Sequence, residues 1–212
     1  MAHPTDTPKP AADADVDAGY AGAPPPVVVP PDEQARLLQL ARVAVAVAAG
    51  ARPGGALQAA IDAGPLPFLQ AAAFVTLTEN GELRGCMGNL DADNRAWASV
   101  VDAAGWAARS DPRFPGVRPG ELAAIEIDVS ILGPLVPLTD PRAFRPGTDG
   151  IVVRRGGRRG LLLPEVADSV GRGPTAMLDA CCRKAGLPRD AWSQPGTELS
   201  VFRTHRFGGP AA

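Results

Sequence analysis

The sequence predicts an α+β fold built on a mainly antiparallel sheet with flanking helices. Three observations predict it. Glu79-Asn80-Gly81-Glu82 is a hairpin turn set between two β-patterned runs. Ile125, Ile127, Val129 and Ile131 alternate strictly with Glu126, Asp128 and Ser130, the pattern of a half-buried strand. Stripes of helical period occur among the hairpins without the repeated strand–helix alternation of a parallel sheet.

The elements follow in chain order. Asp32 is placed to cap a helix running to about residue 49, with Leu38, Ala41, Val45 and Ala48 on one stripe and Gly50 as its stop. Arg52-Pro53-Gly54-Gly55 reads as a linker. Residues 72–78 (AAFVTLT) form a strand, and the chain returns from Leu83 onward after the turn. Residues 91–110 form a helix with Ala96, Val100, Ala103 and Ala107 aligned, ended by Asp111-Pro112. Residues 121–132 are the clearest strand. A second hairpin joins 151–153 to 161–163 through Arg155-Gly156-Gly157-Arg158. Short helices are expected over 164–170 and 175–185, the latter closed by Gly186, and 199–202 make a last strand.

Composition bounds the class. The chain has 212 residues and is 45% hydrophobic, enough for one domain with a packed core. Its net charge of −2 hides a division. Residues 1–33 hold six acids and one base, so the remainder, with 20 bases and 17 acids, is close to neutral and lacks the basic footprint of a nucleic-acid binder. Residues 1–31 are Pro-rich and acidic and read as a disordered tail, whose Val27-Val28-Val29 can dock on the domain as an edge segment. The longest apolar run, 37–49, is broken by Gln39 and Arg42 and falls short of the ~18 residues of a membrane span. The first residues lack the basic and apolar regions of a secretory signal. Three cysteines give no disulfide framework, so a cytoplasmic location is expected.

The unusual stretch is Leu83-Arg84-Gly85-Cys86-Met87-Gly88. Two glycines flank a cysteine on a strand, where glycine marks a bulge or a close backbone approach. Strict alternation puts Arg84 and Cys86 on one face about 6.5–7 Å apart. A guanidinium at that range favours the thiolate, the nucleophilic form, and gives a catalytic pair, Cys86 and Arg84. The alternative is structural: an even-numbered loop sets Cys86 across from Val75 and Leu77, where a cysteine acts as a small buried hydrophobe. Alternation alone leaves both open.

LRGCMG, preceded by AAFVTLTENGE and followed by DPRFPGVRPGEL, IEIDVSILGP, GIVVRRGGRRGLLLPEVA and CCRKAGLP, resembles the AMMECR family over roughly residues 34–207. That family's prokaryotic members are called AmmeMemoRadiSam system protein A. The resemblance implies a compact α+β domain over 32–212, with an antiparallel sheet, flanking helices and a smaller lobe. It implies a role as companion of a Memo-like protein and a radical-SAM protein, with no defined reaction and no cofactor. The family's signature falls on Leu83, Arg84, Gly85, Cys86 and Gly88, with Met87 where Ile is usual. It continues at Asp111, Arg113, Phe114, Glu121, Ser130, Gly150, Pro164 and Glu165. Two positions depart from it: Asp149-Gly150 stands where His-Gly is common, and Gly171-Arg172 where Gly-Trp is common. Asp149 can still accept a proton, but a carboxylate with an ordinary pKa near ~4 is a weak base at pH 7, which argues against an obligatory histidine role at this position.

Other chemistry is thinly represented. His3 lies in the tail, and His205, near the end of the last strand, has no spacing that pairs it with Cys86. Cys181 and Cys182 point about 100° apart on a helix and cannot chelate one ion easily. Metal-ligand, iron–sulfur, dinucleotide and Walker motifs are absent, so the chain is not itself a radical-SAM enzyme. Arg154, Arg155, Arg158 and Arg159 crowd one hairpin that could grip RNA, without an aromatic stacking set beside it. Asp111-Pro112-Arg113-Phe114-Pro115 reads either as a rigid pocket wall or as a helix stop with a structural ion pair.

These observations give three function classes. The first is an accessory component of a Memo-like/radical-SAM system whose polar pocket holds a small molecule or a partner's segment, lined by Gly85, Gly88, Asp111, Arg113, Glu126 and Ser130 around Arg84 and Cys86. The second is a thiol-dependent enzyme with Cys86 as nucleophile and Asp149 or Glu126 handling protons. The third is an RNA-binding module using the 154–159 hairpin.

Overall fold

The computed structural model of the chain describes residues 22, 24–90 and 92–210. Most of the acidic tail, His3, and Asp91, the expected first residue of the helix ahead of DPRFP, lie outside the described residues. The fold is α+β with two four-stranded antiparallel sheets rather than one. The larger sheet runs β2 (Glu82–Gly88), β1 (Ala73–Glu79), β3 (Ile125–Leu132), β8 (Thr204–Pro210). The smaller runs β4 (Val136–Pro137), β7 (Glu198–Phe202), β5 (Gly150–Arg155), β6 (Arg158–Leu162). β4 and β8 are the strands that sequence pattern misses. β4 is two residues long, and β8 ends in Gly208-Gly209-Pro210, composition that argues against a strand.

The first helix, α1 (Pro31–Ala48), starts two residues earlier than the expected Asp32 cap implies. Pro31 occupies its first turn, where the missing N–H costs nothing, and Pro30 offers no side-chain cap. Asp32 is therefore inside the first turn, complementing the helix dipole with Glu33, and is not the cap. A second short helix, α2 (Gly55–Asp62), follows the linker and buries none of its residues. It is held by Arg36 of α1, whose guanidinium donates to the carbonyls of Ala60 (2.7 Å) and Ile61 (3.1 Å) at its C-terminal end. Helix α3 (Ala96–Arg109) presents Ala96, Val100, Ala103, Ala104 and Ala107, small side chains that let it lie close on β1 and β2. One face of the larger sheet, bearing Val75, Leu77, Ile127, Val129 and Ile131, packs against α1 and α3 as the main core.

The smaller lobe has its own core. Ile151, Val153 and Leu162 pack on helix α5 (Pro174–Lys184) through Met177, Leu178, Cys181 and Cys182, beside the short helix α4 (Ala167–Val170). A third cluster joins the lobes: Ala72, Leu132, Val152, Leu161, Leu163 and Phe202, with Phe74 and Val166 against it. The chain crosses back to the larger sheet at Arg203, the only residue between β7 and β8, and Gly133 donates to its carbonyl (2.8 Å). The far end of the Phe202 ring meets Gly150, where an added Cβ would be 2.3 Å from Cζ. Residues 24–30 run extended onto the domain without joining a sheet. Val29 is buried, and Val27 and Val29 give their carbonyls to His205 and Gln34 respectively. The Val27-Val28-Val29 segment thus docks on the domain, but not as the edge segment of a sheet.

Candidate functional site

The hairpin that carries Cys86 contains a bulge. Asn80 and Gly81 both have positive φ (52° and 82°) and make the tight turn. Pairing starts in phase, Glu79 with Glu82 and Thr78 with Leu83, but Leu77 then pairs with Gly85. Arg84 is the extra residue. Every later side chain on β2 therefore changes face. Cys86 lies opposite Thr76, not opposite Val75, and it belongs to the outer, polar face of the larger sheet. The structural alternative based on Val75 and Leu77 is corrected by this one-residue shift.

The bulge also corrects the expected Arg84–Cys86 pair. Arg84 is buried and turned to the segment before β3: Nε donates to Glu121 Oε1 (2.9 Å), Nη2 to both Glu121 Oε2 (3.3 Å) and the Gly116 carbonyl (3.3 Å), and Nη1 to the Pro115 carbonyl (2.8 Å). Glu121, in a 3-10 turn (Pro119–Ala124), is held below the usual carboxylate range first by Arg84 and then by the Arg118 N–H. Arg84 is thus committed within the fold. The cation beside Cys86 is Arg113.

Asp111 and Arg113 act as a substitute for a neighbouring strand. β2 is an edge strand, and an edge exposes unpaired backbone groups. The Cys86 N–H donates to Asp111 Oδ2 (2.9 Å), and Arg113 makes a long contact to the Cys86 carbonyl (3.5 Å). Arg113 grips the same carboxylate twice, at 3.0 and 2.7 Å, and its own N–H donates to Oδ1 (3.1 Å). Pro112 between them fixes the turn. Arg113 is the main cause that holds the Asp111 carboxyl far below its ordinary range; burial opposes it and the Cys86 N–H adds to it. Because the N–H and C=O of Cys86 both point away from β1, Cys86 and Thr76 are a non-hydrogen-bonded pair, the type with the closer side chains. Accordingly Thr76 Oγ1 donates to Cys86 Sγ at 3.3 Å.

The same face continues across the sheet. Thr76 is level with Asp128, and Asp128 with Gly208; one row along, Phe74, Ser130 and Arg206 are level. Arg206 donates to Asp128 Oδ2 (2.6 Å), and an added Cβ at Gly208 would lie 2.4 Å from that carboxylate. Ser130 is buried and donates to Glu165 of the smaller lobe (3.4 Å), so this lobe covers the Phe74–Ser130 end while Cys86, Thr76 and Asp128 stay half-buried. Glu126 is exposed on this face, level with Thr78 at the turn end, and is not beside Cys86. The close approaches at the two flanking glycines are internal. Gly85 lies under Ala107 of α3, and Gly88 under the Phe74 ring.

The remaining titratable candidates are elsewhere. His205 pairs with Ile131 and occupies the opposite face, bonded to Gln34 (3.0 Å) and the Val27 carbonyl (3.2 Å), so no Cys86–His205 dyad exists. Asp149 is fully buried near the smaller sheet between Arg145 (3.3 Å) and Arg203 (3.7 Å), and is no solvent-accessible base. Cys181 and Cys182 are buried; desolvation pushes the Cys181 thiol up to about 12. In the 154–159 hairpin, Arg154 pairs with Glu198 and Arg158 donates to the Gly186 carbonyl, so part of its charge serves the fold. Sequence reasoning did not single out Thr76 or Arg206. The Val75/Leu77 alternation carries the signal for Thr76, whereas Arg206 lies in the unrecognised β8. Native protein is expected to react with one equivalent of 5,5′-dithiobis(2-nitrobenzoate), at Cys86, and urea-unfolded protein with all three cysteines. A native count of zero or three contradicts this placement.

A family model described as AMMECR1 matches residues 33–207. The chain belongs to the AMMECR1 family. Among AMMECR1 relatives, a Methanothermobacter thermautotrophicus protein is 42% identical over 140 residues, 63% of this chain and 73% of that protein. A Thermococcus gammatolerans protein is 36% identical over 181 residues, 81% of this chain and 87% of that one. The crystal structure of an uncharacterised Pyrococcus horikoshii protein superposes with a TM-score of 0.72 at 30% identity, covering 82% of this chain and 91% of that one. The AMMECR1 match spans the bulged hairpin, the Asp111–Arg113 clamp and β8 up to Phe207, so it includes every residue of the outer face named above except Gly208.

Proposed function

We propose that this AMMECR1 chain is an accessory binding component of a Memo-like/radical-SAM system, and that the outer face of its larger sheet holds a segment of the Memo-like partner. The observation that carries this is the way Cys86 is held. Its sulfur accepts from Thr76, its main chain is gripped by the Asp111–Arg113 ion pair, and none of the described residues bonded to it is a free base. A thiol that accepts from Thr76, and whose carboxylate neighbour Asp111 is already engaged by Arg113 and the Cys86 N–H, suits recognition rather than turnover. The half-exposed guanidinium groups of Arg113 and Arg206 flank a row of hydroxyl, thiol and carboxylate, a donor and acceptor set suited to an extended polar segment.

Calorimetric titration with the purified Memo-like protein of the same organism tests this. One-to-one binding with a Kd of about 1–10 µM is expected, weakened roughly tenfold or more by Arg206→Glu and unchanged by Arg155→Glu in the smaller lobe. Absence of binding, or equal loss from both variants, contradicts it. A thiol-dependent reaction is the second reading, favoured by the guanidinium of Arg113 beside Cys86. It requires fast iodoacetamide labelling of Cys86 at pH 6–7, and an ordinary thiol rate removes it.

A further inference from the structure

We infer that Arg84 is a register lock: its buried guanidinium fixes the bulge that puts Cys86 on the outer face. The inference deepens the proposed binding face, since it concerns how Cys86 reaches that face. The hairpin has two ways to pair. Continued from the turn without interruption, Glu79–Glu82 and Thr78–Leu83 lead to Leu77–Arg84, Thr76–Gly85 and Val75–Cys86. In the observed register they lead to Leu77–Gly85 and Thr76–Cys86. A slip of one residue moves every side chain beyond it to the other face. In the uninterrupted register Cys86 would join Val75 against the main core and Met87 would face outward.

Two contacts choose between the registers. The residue opposite Leu77 lies under α3, where an added Cβ at Gly85 is 2.3 Å from the Ala107 carbonyl oxygen, so only glycine fits. Arg84 cannot take that place, and as the extra residue it gains four hydrogen bonds to Glu121 and to the Pro115 and Gly116 carbonyls. The fork of the guanidinium matches the Glu121 carboxylate, a geometry that lysine does not reproduce. Arg84 therefore acts on Cys86 through the backbone as a positioning residue.

Cross-linking reads the register directly. Directly opposite residues bring Cα atoms to about 4.5 Å in a non-hydrogen-bonded pair, as Thr76–Cys86 is in the observed register, and to about 5.5 Å in a hydrogen-bonded pair, as Val75–Cys86 would be in the uninterrupted one; both lie within disulfide range. In the otherwise intact chain, Thr76→Cys is expected to cross-link to Cys86 on mild oxidation, and Val75→Cys is not. Arg84→Gly supplies a residue that fits under α3 and removes the anchor. In that background the preference should reverse, and the rate of Cys86 with 5,5′-dithiobis(2-nitrobenzoate) should fall about tenfold as the thiol turns inward. Arg84→Lys, which keeps the charge without the fork, should restore the Thr76→Cys cross-link only in part. Should circular dichroism show the Arg84→Gly chain unfolded, Glu121→Gln carries the test, with a measurable Val75→Cys cross-link as the expected result. Retention of the Thr76→Cys cross-link at its full yield in the folded Arg84→Gly chain, or in Glu121→Gln when that variant decides, overturns the lock. A Val75→Cys cross-link in the unaltered background overturns the register itself. Both readouts are independent of partner binding, so failure of the lock and failure of the proposed function are distinguishable.

Discussion

Gly85→Ala should destabilise the protein by about 3 kcal/mol or more. The new Cβ would lie 2.3 Å from the Ala107 carbonyl oxygen and 3.2 Å from its carbon. These are helix backbone atoms, so no flexible side chain can move aside, and α3 must lift from β2. That separation would open the contact of Ala103, Ala104 and Ala107 with the larger sheet, where the core is built from small residues and has little volume to rearrange. Gly105→Ala, on the same helix with nothing within 4 Å of its added Cβ, should instead stabilise by about 0.5–1 kcal/mol through helix propensity. Urea denaturation followed by circular dichroism reads both. Equal and small effects contradict the packing described for α3.

Asp111→Ala is the second large effect, about 2–4 kcal/mol at pH 7, because it orphans the Cys86 N–H, the Arg113 N–H and the Arg113 guanidinium together. Its pH dependence has a definite sign. The Asp111 carboxyl is held below its unfolded value, chiefly by Arg113, so the folded state favours the ionised form. The stabilisation is fully present above the ordinary carboxylate pKa of about 4 and is lost as pH falls towards the folded value. The difference in urea midpoint between wild type and Asp111→Ala should stay constant from pH 7 to 5 and narrow below about pH 4. A difference that persists undiminished at pH 2, or is absent at pH 7, contradicts the clamp.

Much of the fold is legible in the sequence because its signals are local. The Ile125/Ile127/Val129/Ile131 alternation, the Asn80-Gly81 turn and the Asp111-Pro112 stop each depend on a few adjacent residues. Legibility fails where distant parts of the chain decide. The bulge at Arg84 is set by Glu121 and by Ala107, 37 and 23 positions away, so strict alternation placed the right residues on the wrong faces. The division into two sheets turns on one residue, Arg203, at which the chain leaves β7 for β8. Helix α2 buries no residue and so offers no apolar stripe to find. The site shows the same limit. Cys86, Asp111 and Arg113 stand out by composition, but their arrangement, a carboxylate and a guanidinium standing in for a missing strand, depends on β2 being an edge.

The central claim, that the outer face around Cys86 recognises the partner, is tested most directly by amide chemical shifts of the labelled chain during titration with the purified Memo-like protein. The expected result is saturable perturbation of Thr76, Cys86, Arg113, Asp128 and Arg206, the residues of that face and its clamp. Perturbation confined to the 154–159 hairpin or to the surroundings of Trp192, with the outer face unchanged, contradicts it.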